Sequence, residues 1–271
     1  MSDIVLSGGV RSNLLQLQQT SDLITQTQTR LATGRRVNSA LDNPINYFTA
    51  QGLTVRANDL NSLLDSMSTG INTIQAANNG ITSITKLVQS AQSLVSQAQQ
   101  TTDTTVRATL ATQFNNLLSQ IDQLAGDSGI NGVNLLGGND LTITLNETGA
   151  STVTVTGVND TVGGALSIAN AANNWVGSSD VTTAATDLTA ALVTLRSQSQ
   201  ALSSNLQTVQ IRQDFTKAMI NTLNTGSDSL TLADSNEEGA NLLALQTRQQ
   251  LSTTALSLAA QADQNVLRLF Q

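Results

Sequence analysis

From Val10 onward the chain places a helix-facing position at alternating steps of four and three. Val10, Leu14, Leu17, Ser21, Ile24, Gln28 and Leu31 follow this rule, and five of these seven residues are apolar. That is the signature of a helix presenting one stripe to a partner. Gly34 stands where a glycine ends a helix. Asn43 and Pro44, the sole proline, predict the cap and first turn of the next helix. Gly34 to Asp42 therefore reads as a joint between two helices.

The second helical pattern is far longer. Leu53, Leu60, Leu64, Met67, Ile71, Ile74, Ile81, Val88 and Val95 hold a seam on which polar Asn78, Thr85 and Gln92 also fall. A second set, Ile84, Leu87, Ala91, Leu94 and Ala98, makes the buried face wide. At 1.5 Å per residue, Asn46 to Gln100 would extend roughly 80 Å, so other helices must cover it. Thr101 to Thr105 breaks the pattern with N-cap character. A third helix carries Val106, Leu110, Phe114, Leu117, Ile121 and Leu124.

Gly126 to Asp140 is dense in glycine and asparagine, and LTITL and STVTVTGV then alternate with period two. They predict a β-hairpin over Leu141 to Val158. Asn159 to Asp180 carries little pattern and reads as a loop with a short helix around the lone Trp175. The helical period returns with Leu188, Leu192, Leu195, Leu202, Leu206, Val209, Ile220 and Leu223. Thr225 to Gly239 interrupts it, and a last helix holds Leu242, Leu245, Leu251, Ala255, Leu258, Ala262 and Leu269.

The expected fold is mainly α: a long coiled-coil or bundle rod with paired N- and C-terminal helices and a small β-hairpin insert. Residues 1–33 with 240–271 would form an inner helical pair. Residues 34–43 and 225–239 would be joints, 44–125 with 181–224 a helical shell, and 126–180 the hairpin and loop insert.

Composition sharpens this picture. Only 2% of the residues are aromatic, so buried area must come from Leu, Ile, Val and Ala, which suits helix seams. The net charge is −7 with 11% charged residues, which leaves no broad footprint for nucleic acid or anionic membrane. Cysteine and histidine are absent, excluding disulfides, thiolate metal sites, a Cys nucleophile and a His base. The N-terminus lacks the basic and apolar regions of a secretory signal. No apolar run approaches the length that spans a bilayer. Membrane insertion is not expected.

No motif supports catalysis or a cofactor. The glycines of Gly126 to Gly138 follow a helix rather than a strand and lack a phosphate loop's ending, so they read as turns. Glu237 and Glu238 lack surrounding oxygen ligands and read as acidic residues at a helix N-terminus. Asn146-Glu147-Thr148 and Asn159-Asp160-Thr161 match a glycosylation sequon that is frequent by chance. The terminal helix is rich in Thr, whose β-branch weakens a lone helix, and must gain its stability from a partner. An apolar stripe exposed at both ends of a monomer would be an association surface, the other reading being that the two ends pair within one molecule.

Three separated segments then carry a resemblance. RLATGRRVNSALDNP, Arg30 to Pro44, resembles the flagellin signature in which a first helix ends before a basic joint. INGVNLL, Ile130 to Leu136, is similar to the family's turn before its β region. LADSNEEGANLLALQTRQQLSTTALSLAAQADQNVLRLF is similar to the C-terminal segment of alphaproteobacterial flagellins. The likeness covers about Met1 to Leu136 and Val181 to Gln271, with a short centre in place of large outer domains.

The resemblance implies a subunit of the bacterial flagellar filament, exported unfolded by the flagellum's type III route and assembled at the tip. Implied partners are further copies of the chain, an export chaperone, and cap and hook-junction proteins. The expected assembly stripe is Leu6, Val10, Leu14, Leu17, Ile24, Leu31, Leu251, Leu258, Val266, Leu269 and Phe270. The expected joint is Gly34, Arg35, Arg36, Asn38, Asn43, Pro44, Asp234, Glu237 and Glu238. Arg30, Arg35 and Arg36 are expected to meet acidic groups on neighbouring subunits, with Asp234, Glu237 and Glu238 as the first partners. Many flagellins carry an arginine-bearing motif that an innate immune receptor reads. Leu87 to Gln100 lacks it, so weak recognition is implied. A hook–filament junction protein and a secreted coiled-coil adhesin are the alternative readings.

Overall fold

The computed structural model describes residues 8–269, with side chains at all of these except 263 and 266–269. In chain order they form α1 (Gly8–Thr33), α2 (Pro44–Gln100), α3 (Thr104–Asp127), β1 (Leu141–Thr144), β2 (Thr152–Val155), α4 (Ser178–Thr231) and α5 (Ser235–Leu269). The fold is mainly α with one small antiparallel hairpin, in which Leu141 pairs Val155 and Thr144 pairs Thr152. Two compact units result, residues 56–221 and residues 1–55 with 222–271.

The core of the 56–221 unit is built from seams of buried aliphatic side chains. Along α2 the buried positions include Ala57, Leu60, Met67, Gly70, Ile74, Ala77, Ile81, Ile84, Val88, Ala91, Val95 and Ala98. Steps of three and four recur almost throughout, with large residues at one seam position and mostly alanine or glycine at the other. The polar seam expected at Asn78, Thr85 and Gln92 is corrected by this arrangement. These seam positions fall one residue earlier, at Ala77, Ile84 and Ala91, all fully buried. Leu64, Ile71, Leu87 and Leu94 flank it, half-buried. On α4 the same rule buries Val181, Ala184, Leu188, Ala191 and Leu195 and leaves the expected Leu192 on the flank.

α3 starts at Asp103, whose carboxylate accepts from Thr105 N at 2.8 Å, the side-chain cap its position predicts. Its buried face includes Arg107, Ala111, Phe114, Leu118, Ile121 and Ala125, whereas the expected Val106 is exposed. Arg107 is buried without a carboxylate partner among the described residues. Its Nε donates to Ala98 O (3.1 Å) and Thr101 O (2.8 Å), and its guanidinium to Val176 O (3.3 Å). A cation thus sits against the carbonyl end of α2, where the helix dipole is negative. Trp175, reached through a turn with positive φ at Asn173, Asn174 and Trp175, is fully buried and tilts onto Phe114 with centroids 4.9 Å apart.

The segment before the hairpin is organised by asparagine. Asn131 and Gly132 both have positive φ, and Ile130 and Val133 exchange both backbone hydrogen bonds at 3.0 Å, the Asn-Gly two-residue hairpin turn. Asn134 Nδ2 donates to Ala125 O (2.7 Å) and Gly126 O (2.9 Å), satisfying the last carbonyls of α3. Its Oδ1 accepts from Leu136 N (3.0 Å) and Gly137 N (3.1 Å). Leu135 and Leu136 are thereby driven into the core, each about 2% exposed. Gly80 of α2 makes room for them, since a Cβ there would stand 2.7 Å from Leu136 Cδ1 and 2.9 Å from Ser128 Cβ.

α4 continues to Thr231, six residues beyond the interruption expected at Thr225, and α5 begins at Ser235. Ser227 Oγ and Thr231 Oγ1 donate to Ala50 O (3.2 Å) and Ser227 O (3.0 Å). Hydroxyls that suggested a loop are satisfied within helical structure. Only Leu232 to Asp234 remains as the C-terminal joint.

Two glycines of α2 make a paired test. A Cβ at Gly52 would meet nothing within 4 Å, so Gly52→Ala should raise stability by about 0.5–1 kcal/mol through helix propensity. Gly80→Ala should lower it by about 1–2 kcal/mol, because overpacking outweighs the same propensity gain. Urea unfolding of the two variants beside the parent chain measures both signs.

Candidate assembly surface

α1 and α5 pack together within the unit 1–55 with 222–271. The covered positions on α1 are Val10, Asn13, Leu17, Thr20, Ile24, Thr27 and Leu31, and those on α5 are Glu238, Leu242, Leu245, Gln249, Ser252, Leu256 and Ala259. Both sets hold strict three–four spacing, so the helices pair as a short antiparallel coiled coil. The stripe expected on α1 shares Val10, Leu17, Ile24 and Leu31 with this seam. The alternate positions are Asn13, Thr20 and Thr27 in place of Leu14, Ser21 and Gln28. Thr20 is tolerated there because its hydroxyl donates to Gln16 O at 2.8 Å.

The consequence is a division of the predicted residues. Val10, Leu17, Ile24 and Leu31 face the partner helix of their own chain. Leu14 is 38% exposed, Leu251 67% and Leu258 62%. Ala255 and Ala262 are exposed as well, so Leu251, Ala255, Leu258 and Ala262 form an uncovered stripe at spacing four, three, four. Leu15, Leu23 and Leu243 add exposed apolar area on other sides of the pair. Leu6 and Phe270, and the side chains of Val266 and Leu269, lie outside the described residues.

The joints are built mainly from backbone. Gly34 adopts φ +67°, the left-handed conformation expected just past a helix end. Arg36 N and Val37 N then donate to Thr231 O (2.7 and 3.2 Å), and Ala233 N to Gly34 O (3.0 Å), while Arg35 bridges Leu232. Val37 seals this crossing, 4% exposed. Asp42 Oδ2 accepts from Asn38 N (3.0 Å) and Ser39 N (2.9 Å), and the backbone donors of Ser39 and Asn38 hold its carboxyl below the usual range. Asn38 Nδ2 donates to Arg35 O at 3.1 Å, and Asn43 Oδ1 caps α2 by accepting from Asn46 N at 3.0 Å, ahead of Pro44. Asp234 caps α5 in the same way through Asn236 N at 2.8 Å.

One expected intermolecular pairing is corrected. Arg30 meets Glu238 of its own chain, Nη1 to Oε1 at 3.0 Å, with the Glu238 side chain 8% exposed. The pair closes the joint end of the coiled coil, because α5 starts only four residues after α4 stops. Glu237, beside it, is exposed in the first turn of α5. No ion pair of Arg35 or Arg36 occurs among the described residues. Nor do the described residues include a cluster of metal-ligating side chains or a helix long and apolar enough to cross a membrane.

Residues 10–140 match the family model of the bacterial flagellin N-terminal helical region. Flagellin FljM of Caulobacter vibrioides is 31% identical over 282 aligned positions that span 100% of this chain and 99% of that protein. The chain belongs to the flagellin family. Flagellin FljK of the same organism is also 31% identical, with 100% and 99% coverage. Flagellin D of Rhizobium meliloti is 36% identical over 42% of this chain and 31% of its own length. A solved flagellin from Bacillus cereus aligns with a TM-score of 0.47 and 20% identity over 57% of this chain and 88% of that one.

As a flagellin, the chain is a structural subunit of the flagellar filament. The alphaproteobacterial character read from its C-terminal segment agrees with the Caulobacter and Rhizobium relatives. The subunit's terminal helices are held by a seam in which half the positions are polar or small, so each copy pairs them only weakly by itself.

The Arg30–Glu238 pair should carry much of that weak pairing. Arg30→Ala and Glu238→Ala should each raise hydrogen exchange through the first turns of α5, by about 1–3 kcal/mol of local opening free energy. The double variant should be less than additive by about 1 kcal/mol or more. Full additivity would show that the two side chains act separately.

Proposed function

We propose that the chain polymerises with copies of itself through the faces of α1 and α5 that its own pairing leaves uncovered. The carrying observation is the stripe Leu251, Ala255, Leu258 and Ala262, which is apolar, regular and without a covering element among the described residues. Val266 and Leu269 follow it in the sequence at steps of four and three. Leu14, with Leu6 in sequence, supplies a matching edge on the N-terminal side, and Phe270 a terminal apolar group. An apolar stripe on a solvent-exposed helix marks an association surface, and successive head-to-tail contacts of one surface with a different one make an open helical polymer.

The subunit acts mechanically rather than by catalysis. It leaves the cell through the flagellar export channel, escorted by a chaperone, and adds beneath a cap on filaments that begin at hook-junction proteins. A chain without thiols and with a single proline crosses into an oxidising exterior without disulfide traps and has only one prolyl bond to slow refolding. The helix Leu87 to Gln100 carries no arginine, so recognition by an innate immune receptor is weak.

Leu251→Ser with Leu258→Ser tests the reading. Each leucine buried between subunits contributes about 1.5–3 kcal/mol, so the double variant should raise the critical concentration for filament growth more than tenfold. Its helix content and the unfolding of residues 56–221 should match the parent. Electron microscopy and sedimentation of seeded samples measure the outcome, and filaments formed at the parental concentration would overturn the proposal.

A further inference from the structure

Residues 56–221 form a half-open pocket of about 60 Å³ between α2, the hairpin and α4. Its walls are apolar at Ile81, Leu135, Leu136, Val155, Val158 and Leu202. Into it faces Asp160, fully buried, with neither carboxylate oxygen hydrogen-bonded. The facing polar side chain is Gln198 of α4, whose Oε1 is also buried without a partner. Three acceptor oxygens, none of them hydrogen-bonded, thus share a mostly apolar pocket, an arrangement that a carboxylate anion tolerates poorly.

Asp160 also sits at a structural junction. Its backbone N donates to Leu136 O (2.8 Å), Val158 N donates to Leu135 O (2.7 Å), and Ala165 N to Asn159 O (2.7 Å). This segment therefore holds the base of the hairpin against the Leu135–Leu136 plug. We propose that Asp160 is a proton-operated latch: its neutral carboxyl donates to Gln198 Oε1 and ties the hairpin base to α4, and loss of that proton to solvent releases the tie.

Nothing charged around the pocket competes for this role. Thr156 and Asn205 are the other polar side chains in its lining. On the adjoining segments, Asp122 is engaged by Val162 N at 2.7 Å and Asp140 by Gly157 N at 2.9 Å. Lys86 and Arg196 line a separate groove on α2 and α4. Burial pushes the Asp160 carboxyl up to about 6, opposed only by the Gln198 amide. A raised folded-state pKa means the folded chain binds the proton more tightly than the unfolded one. The stabilisation is therefore complete below the unfolded value near 3.8 and is lost as pH rises through about 6. The chain has no histidine and no cysteine, so apart from the α-amino group no unperturbed group titrates between pH 5 and 8. A pH effect in that window is diagnostic.

The test uses the full monomeric chain. Between pH 5 and 8 the unfolding constant should rise about tenfold, and exchange protection at the Val158, Asp160 and Ala165 amides, corrected for intrinsic rates, should fall. Asp160→Asn, which keeps a donor for Gln198 Oε1, should show neither change and should be the more stable chain at pH 8. Carbon-13 titration of labelled aspartates in the parent chain should show one carboxyl with a midpoint near 6. This last reading needs no variant to fold. A midpoint below 5 for every aspartate, or an unchanged pH response in Asp160→Asn, would overturn the latch. Neither result bears on whether the chain forms filaments.

Discussion

Burial of aliphatic side chains along shared helix seams is the constraint on which the larger unit depends. With so few aromatic residues, burying enough apolar area requires many helix turns in register, and those turns must lie near one another for aliphatic side chains to fill the space. Ala77, Ala91 and Ala98 on α2 and Ala184 and Ala191 on α4 occupy alternate seam positions. Gly70 and Gly80 go further, giving the hairpin's Ile143 and the plug's Leu136 room directly against α2. Arg107 and Asn134 complete the unit by satisfying carbonyls at the ends of α2 and α3, which would otherwise be left without partners.

The terminal pair obeys the same spacing with a weaker filling. Asn13, Thr20 and Thr27 on α1 face a seam containing Gln249 and Ser252 on α5, so half the layers add little apolar area. The pair is anchored at one end by Arg30 and Glu238 and by the backbone crossing of the two joints. Meanwhile Leu251 and Leu258 stay exposed. A segment that folds modestly within its own chain and keeps its best apolar stripe for neighbours is suited to gain most of its order on assembly.

Element type was legible in the sequence nearly everywhere. The Gly34 stop, the Asn43–Pro44 start, the capping break at Thr101 to Thr105 and the alternating LTITL strand each rest on local chemistry that needs no tertiary context. The phase of each seam was not. Assigning large apolar residues to the buried side selected Leu14, Leu192 and Leu251, whereas Asn13, Ala191 and Ser252 take the covered positions and the leucine lies on the flank or in solvent. Val10, Leu17, Ile24 and Leu31 belong to both phases on α1, so periodicity alone does not choose between them. The α4 extension was missed because serine and threonine resemble a loop until their hydroxyls are seen bonded to helix carbonyls. Arg107 and Asp160 were missed because burial of a lone ionisable group leaves no trace in spacing.

On this reading α5 carries two stripes with different duties, one facing α1 of the same chain and one facing other copies. The absence of native cysteine makes single-thiol labelling the direct measurement. Leu256→Cys, on the inner seam, should react slowly with a maleimide both in the monomer and in filaments. Leu258→Cys should react rapidly in the monomer and at least about tenfold more slowly once filaments form, the expected effect of excluding solvent from a stripe exposed in the free chain. Equal reactivity of Leu258→Cys in monomer and filament would contradict the two-stripe division.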